Sequence, residues 1–160
     1  AVVIGDVVIG ERCWIGPNTT IRSDFHKIRI GDCSDVQDNC VIHGETVLGS
    51  HARLGHGAIV HGATLGKNVL VAMNAVVLDR ASLGDGVVVA AGAVVAQEAQ
   101  VPSGKLVMGV PAAIVGDAPP VRDEGVDEGY VGLIGRYKTG LREVSLRGAE
   151  GHSPAGDSKL

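Results

Sequence analysis

The stretch LGSHARLGHGAIVHGATLGKNVLVAMNAVVLDRASLGDGVVVA, residues 48–90, carries an aliphatic residue at nearly every sixth position. A six-residue period matches neither the 3.6-residue stripe of a helix nor the two-residue alternation of a lone strand. It predicts an all-β solenoid, a parallel β-helix in which three short strands form each 18-residue coil and each strand points one aliphatic inward. The members of the series are Ile9, Ile15, Ile21, Ile30, Val36, Ile42, Leu48, Leu54, Val60, Leu65, Val71, Val77, Leu83, Val89, Val95 and Val101.

Composition supports this architecture. Hydrophobic residues make up 45% of the chain but aromatic residues only 2%, so the core must be built from Val, Ile, Leu and Ala rather than from rings. The 24 glycines suit a chain with many corners, where they are expected to supply backbone freedom. A small β-sandwich with coincidental spacing is the alternative, and the long run of intact six-residue steps disfavours it.

The register of the repeat slips twice. Ile21 and Ile30 are nine residues apart, which predicts three inserted residues around positions 24–27. Val60 and Leu65 are five apart, which predicts one deletion. Slips of this kind in a solenoid tend to mark a binding edge.

The repeat ends after Pro111, so we predict a β-helix domain over residues 1–116 and a linker over 117–125. Apolar residues spaced by three or four then predict a C-terminal α-helix over 126–147 that packs on the solenoid. Residues 148–160 are polar and are expected to be disordered.

Charge and cysteine content exclude several classes of protein. The net charge is −4 without a Lys/Arg cluster, which argues against nucleic-acid binding. No apolar run approaches the roughly 20 residues of a membrane span. The three cysteines form no CxxC pair, which argues against a disulfide framework or a cysteine zinc site. We therefore expect a cytoplasmic protein with reduced thiols that acts on a small-molecule substrate.

Polar residues interrupt the position after the inward aliphatic, which is otherwise usually Gly or Ala; the interruptions are Arg22, Gln37, His43 and His61. His43 and His61 are 18 residues apart with the register intact, so they should stack on adjacent coils about 4.8 Å apart. Two imidazoles at that spacing can converge on one metal ion. Arg22 should lie in the same column, one coil earlier.

A second column holds Asp38 and His56, again 18 residues apart, one face before the first column. A corner and five residues separate His56 from His61, so one chain is not expected to bring both to one metal. We infer a homotrimer whose metal sites lie at the subunit interfaces, with His43 and His61 from one chain and His56 from its neighbour. The same geometry would pair Arg22 with Asp38 across the interface.

Three imidazoles without a fourth protein ligand are typical of an open, catalytic metal site. Imidazole ligands suit Zn²⁺ and equally Fe²⁺, Co²⁺ or Ni²⁺, so the residues alone do not select the metal. His26, His51 and His152 lie outside both columns and are interpreted as surface residues.

Five motifs carry a resemblance to a known family. They are IRSDF (21–25), VQDNCVIHG (36–44), LGHGAIVHG (54–62), MNAVVLD (73–79) and MGVPA (108–112). Together they resemble the γ-class carbonic anhydrases of the hexapeptide-repeat superfamily, above all the branch of the phenylacetate-degradation-operon and carnitine-operon proteins. The resemblance implies a left-handed coil.

The resemblance also implies roles for individual residues. His43, His56 and His61 match the family's metal ligands, and Gln37 matches the residue that hydrogen-bonds the metal-bound water. The arginine and carboxylates that shape the site and the trimer contact are matched by Arg22, Asp24 and Asp38.

The implied reaction is attack of metal-bound hydroxide on CO₂ to give bicarbonate. The chain departs from the family archetype in lacking a long acidic loop between the first two ligand histidines, because His43 and His56 are only 13 residues apart. It also has Asp35 and Ser23 where the family usually has Asn and Gly. Three alternatives stay open: a metal-assisted acyl-CoA thioesterase, a CoA-dependent acyltransferase and a non-catalytic trimeric scaffold.

Overall fold

The protein is a left-handed parallel β-helix of about six turns. The computed structural model describes residues 1–120 and, beyond them, Tyr130, Leu133, Ile134, Gly135 and Tyr137. Each full coil contributes a short strand to each of three faces, so the solenoid has the shape of a triangular prism. The predicted fold is therefore confirmed.

The three faces are stacks of parallel strands one coil apart. Face 1 contains the first halves of β1 (Val2–Ile9) and β3 (Thr20–Ile30), then β5 (Val41–His43), β8 (Ile59–His61), β11 (Val76–Val77) and β14 (Val94–Val95). Face 2 contains the second halves of β1 and β3, then β6 (Val47–Leu48), β9 (Thr64–Leu65), β12 (Ser82–Leu83) and β15 (Gln100–Val101). Face 3 contains β2 (Trp14–Ile15), β4 (Asp35–Val36), β7 (Arg53–Leu54), β10 (Leu70–Val71), β13 (Val88–Val89), β16 (Lys105–Gly109) and β17 (Ala112–Asp117), the last one antiparallel.

Strand pairing confirms both predicted register slips. On face 1 Arg22 pairs with His43, 21 positions later, whereas on face 2 Arg29 pairs with Val47, 18 positions later. Three extra residues of β3 therefore bulge out at the corner between these faces. One coil further on, Val47 pairs with Thr64 after only 17 positions, which locates the deletion at the same corner.

The interior is the predicted column of aliphatic side chains. From Ile21 to Val101 every member of the series is buried, while Ile9 and Ile15 on the first coil are partly buried. The first coil has a neighbouring coil on one side only, which explains its greater exposure. Two of the cysteines, Cys33 and Cys40, are buried as small core residues.

The glycines after the inward aliphatics have a different role from the one expected. A Cβ at Gly16 would lie 2.7 Å from the backbone nitrogen of Asp38, and one at Gly55 would lie 2.8 Å from that of Met73. These glycines are therefore required by close approach of the next coil, not by a left-handed backbone. At the corners the positive φ angles belong largely to other residues, such as Asn18 (58°) and Asn39 (61°).

The chain after β17 is described at five positions only, all of them helical. The predicted linker, the rest of the helix over 126–147 and the tail over 148–160 otherwise lie outside the described residues. Within the described part of the chain, no helix has the length and hydrophobicity needed to cross a membrane.

Candidate active site on two edges of the solenoid

The corner between faces 1 and 2 carries a column of polar side chains, which we call the histidine-pair edge. Arg22, His43 and His61 are in register on three successive coils, and Asp79 follows one coil later. Nδ1 of His43 lies 2.9 Å from Nε2 of His61, with the ring centroids 4.9 Å apart. The predicted stacking of the two imidazoles is thus present in the structure.

Carboxylates hold the outer nitrogen of each imidazole. Nε2 of His43 lies 2.8 Å from Oδ2 of Asp24, and Nδ1 of His61 lies 2.8 Å from Oδ1 of Asp79. Arg22 donates to the same Asp24 oxygen at 2.6 Å. The hydrogen bond with His43, with help from Arg22, holds the pKa of Asp24 below its usual range.

Gly62 makes room for this arrangement. Its φ is +59°, and a Cβ there would lie 2.6 Å from Oδ1 of Asp79. A side chain at this position would therefore push Asp79 away from His61. Glycine is required here by both backbone conformation and space.

The corner between faces 3 and 1 carries the second column, which we call the His56 edge. Nδ1 of His56 lies 3.2 Å from Oδ2 of Asp38, and Nε2 lies 3.3 Å from the hydroxyl of Tyr130. The Tyr130 ring in turn lies over Trp14, with 6.2 Å between centroids. Both nitrogens of His56 are thus in contact with polar groups of its own chain.

Gln37 begins this second corner and is buried. Its Nε2 donates to Oδ1 of Asp35 at 2.9 Å, which fixes the orientation of the amide. Asp35 also accepts from Nε of Arg53 at 2.8 Å. Burial raises the pKa of Asp35, while the contacts with Gln37 and Arg53 act in the opposite direction.

A single chain therefore divides the predicted site residues between two edges. The histidine-pair edge holds Arg22, Asp24, His43 and His61, and the corner of the His56 edge holds Gln37, Asp38 and His56. Among the described residues of one chain, no three His, Cys, Asp or Glu side chains are grouped so that they could hold a metal ion. Within one chain Arg22 pairs with Asp24, and Asp38 pairs with His56. The pairing of Arg22 with Asp38 between subunits stays a prediction.

The donor chemistry of the histidine-pair edge fits a metal ion. Two nitrogens bound to one tetrahedral ion at 2.0–2.1 Å lie about 3.3 Å apart, so the 2.9 Å between His43 and His61 would need to widen by only a few tenths of an ångström. Metal-binding imidazoles usually have a carboxylate or carbonyl on the other ring nitrogen, as both of these have. One chain would thus supply two oriented imidazoles to a metal ion, and a third ligand would have to come from outside this pair.

A cavity of about 540 Å³ opens beside this edge. His43, His61 and Asp79 line it together with Phe25, Val47 and Arg80. The inserted residues of β3 contribute Phe25 to its wall, so the register slip does mark the edge of a cavity.

Asp79 was missed from the sequence, whereas for Tyr130 a packing role was favoured over a contact with the site. Continuing the column by one coil would not have found Asp79, because the deletion shortens that step to 17 residues and puts Leu78, rather than Asp79, at the level of His61. Tyr130 lies outside the repeat, where no spacing rule predicts which side chain it meets.

Comparisons with known proteins agree with this architecture. A family model described as "Bacterial transferase hexapeptide (six repeats)" matches residues 62–97, and "Hexapeptide repeat of succinyl-transferase" matches residues 6–44. The carnitine operon protein CaiE of Escherichia coli strain SMS-3-5 is 35% identical over 165 residues, covering 96% of this chain and 83% of the relative. CaiE of Escherichia coli K12 is 34% identical over the same span.

Solved structures of hexapeptide-repeat proteins superimpose on this fold. A hexapeptide transferase family protein from Anaplasma phagocytophilum superimposes with a TM-score of 0.72 at 39% identity, covering 74% of this chain and 72% of that one. The acetyltransferase VCA0836 of Vibrio cholerae, complexed with acetyl coenzyme A, superimposes with a TM-score of 0.61 over 71% of this chain and 72% of its own. At 22% identity the second likeness supports the fold alone.

Proposed function

The chain belongs to the hexapeptide-repeat superfamily, in the carnitine-operon branch, and from the geometry of its two edges we propose that it is a metal-dependent, carbonic-anhydrase-like enzyme that hydrates CO₂ to bicarbonate. The observation that carries the proposal is the His43–His61 pair, whose facing nitrogens lie 2.9 Å apart while carboxylates hold the outer ones. That arrangement suits metal ligation, because both imidazoles are partly exposed and lie outside the cluster of buried aliphatic residues.

His43 and His61 of one subunit and His56 of its neighbour would hold the metal, with Zn²⁺ or Fe²⁺, Co²⁺ or Ni²⁺ as candidates. The metal supplies Lewis acidity, which allows water to act as a nucleophile at neutral pH. The chain's own carboxylates, Asp24 and Asp79, orient the imidazoles by accepting from their outer nitrogens.

Gln37 would orient the reacting water. Because Nε2 is committed to Asp35, the amide oxygen is the atom left to accept a hydrogen bond from a water molecule. An amide can do this without taking the proton of the water, since it has no basic site near neutral pH. Glu45, which lines the cavity, is a carboxylate beside the site that could receive a proton.

The outer surface of face 1 supports assembly into a trimer. Val41 and Ile59 are each 37% exposed on adjacent coils, between the two edges. Val76 and Val94 continue the stripe on the following coils. An apolar stripe between two half-sites suits a contact in which one subunit's His56 edge meets the next subunit's histidine-pair edge.

Metal content tests the proposal most directly. We expect about one metal ion per chain in the purified trimer, retained in His51→Asn and lost in His56→Ala and His61→Ala. His51 is a suitable control because it lies at the third corner, with φ of 58°, a conformation that Asn tolerates. CO₂-dependent proton release should follow the metal content across the four proteins.

Absence of metal after anaerobic, metal-supplemented expression would overturn the proposal. A metal-loaded trimer that hydrolyses acyl-CoA thioesters but does not hydrate CO₂ would assign the same site to a thioesterase. A metal-free trimer with neither activity would indicate a scaffold.

A CoA-dependent acyltransferase is the second candidate. Asp79 on Nδ1 of His61 is the arrangement of a general base oriented by a carboxylate, and both family models are named for transferases. His61 would take the proton of an acceptor hydroxyl or amine as its oxygen or nitrogen bonds to the acyl carbon. The C–S bond then breaks, and the thiolate of CoA receives a proton.

A chelator and the histidine variants distinguish the carbonic-anhydrase-like enzyme from the acyltransferase. An acyltransferase should bind acetyl-CoA, keep its activity in a chelator and lose it in His61→Ala. The metal-dependent reaction should be abolished by the chelator, by His56→Ala and by His61→Ala.

A further inference from the structure

The inserted residues of β3 place an aromatic ring at the cavity beside the histidine pair. Phe25, the one phenylalanine of the chain, is 92% exposed and lines this cavity. Apolar and aromatic side chains that line a concave site commonly contact the ligand it binds.

The bulge that carries Phe25 is anchored on both sides. Ser23 is buried, and its hydroxyl donates to the backbone carbonyl of His26. Asp24 is held by Arg22 and by His43. Phe25 therefore lies between two anchored neighbours, so the backbone from which its side chain projects is held in place.

The residues that line the cavity are of two chemical kinds. The histidine-pair edge supplies a polar wall of His43, His61 and Asp79, while Phe25 and Val47 supply apolar surface. Its volume of about 540 Å³ is far more than three-atom CO₂ requires and lies in the range of cavities that hold larger organic molecules.

We propose that Phe25 and Val47 form an apolar subsite for the hydrocarbon part of an acyl compound whose carbonyl or carboxylate group faces the His43–His61 pair. This inference rests on the proposed function, because the histidine pair is the polar end of the same site. Phe25 would then determine specificity among acyl compounds by favouring those with an apolar group, while CO₂ would need only the histidine pair.

Binding of simple carboxylates to the full-length trimer, whatever its metal content, tests the subsite, with isothermal titration calorimetry as the readout. Acetate has the polar group alone, and hexanoate adds four methylenes. We expect hexanoate to bind roughly tenfold more tightly than acetate. Phe25→Ala should weaken hexanoate about fivefold and leave acetate within about twofold, and Phe25→Leu should restore most of the loss.

Met108→Ala is the matched control, because it removes an apolar side chain that is 47% exposed on β16 of face 3. It should change neither affinity. Equal affinities for the two carboxylates in the unmodified protein, no binding of either, or an unchanged ratio in Phe25→Ala would each overturn the proposal. Dissociation of the Phe25→Ala trimer in sedimentation velocity would also overturn it, because the ring would then be a contact between subunits.

The metal content of the purified protein tests the proposed function separately. A protein that prefers hexanoate through Phe25 but contains no metal would retain the subsite and lose the carbonic-anhydrase-like assignment.

Discussion

The two polar edges of the solenoid are built from the same 18-residue spacing but differ in how many polar side chains contact one another. On the histidine-pair edge, contacts run without interruption from Arg22 through Asp24, His43 and His61 to Asp79. The His56 edge has a single imidazole between Asp38 and the Tyr130 hydroxyl. Both columns use the 18-residue step, but only the first stacks one ligand directly above another.

This difference follows from the geometry of a prism. Adjacent coils lie about 4.8 Å apart along the axis, so ligands on one edge can converge. Two edges are separated by the width of a face, which no side chain of this core spans. Under the proposed function, a histidine on the second edge would therefore complete the site of a neighbouring molecule.

Mixing subunits tests whether the two edges complete each other's sites, and it should give the largest change in metal content. His56→Ala and His61→Ala should each lose the metal, but trimers refolded from an equal mixture should recover about one quarter of the sites. An intact site then forms wherever the first variant supplies His43 and His61 and the second supplies His56. The measurement is metal bound per chain after gel filtration.

His43→Ala mixed with His61→Ala is the control, because both changes affect the same half-site and no combination repairs it. Recovery in that mixture, or none in the first, would mean that the site is not shared in this way.

Glycine substitution compares the histidine-pair edge with a corner that has no site. Gly62→Ala should lower the free energy of unfolding by about 2–3 kcal/mol, since alanine is strained at positive φ and its Cβ meets Asp79. Gly86→Ala has a similar φ of 68° with nothing within 4 Å of its Cβ, and should cost only about 1 kcal/mol. Urea denaturation measures both; equal losses would mean that the Asp79 contact is unimportant for stability.

The sequence predicted the columns because residue spacing converts directly into strand register. Arg22, His43 and His61 could be placed on one edge and Asp38 and His56 on another without coordinates. The two register slips were predictable for the same reason.

Side-chain partners within the columns were not predictable. Spacing gives the level of Arg22 on the edge but not its rotamer, and within the chain it turns to Asp24 rather than outward. The glycines were assigned to corner flexibility because the sequence does not reveal how closely neighbouring coils approach. Tyr130 reaches His56 from outside the repeat, where register carries no information.

Substituting one carboxylate on each edge compares the two edges contact by contact. Asp79→Asn and Asp38→Asn each weaken the partner of an imidazole Nδ1, at 2.8 Å and 3.2 Å respectively. We expect the first to reduce metal affinity about 10–100-fold, and the second to act in the same direction but less, because its contact is longer. Competition with a chelator of known affinity measures both, and the reverse order would contradict the assignment of Asp79.

Tyr130→Phe should have the smallest effect. Asp38 occupies Nδ1 of His56, so Nε2 is the atom left for a metal, and the Tyr130 hydroxyl contacts that atom at 3.3 Å. Removing a long hydrogen bond that competes with the metal should raise metal affinity by about two- to fivefold, while the ring remains over Trp14. Tyr137→Phe is the control, because Tyr137 packs edge-on against Trp14 at 5.0 Å without a hydroxyl contact to His56. A loss of affinity in Tyr130→Phe alone would mean that the hydroxyl supports the metal-bound arrangement, so that the helix would be part of the site rather than a competitor for its third ligand.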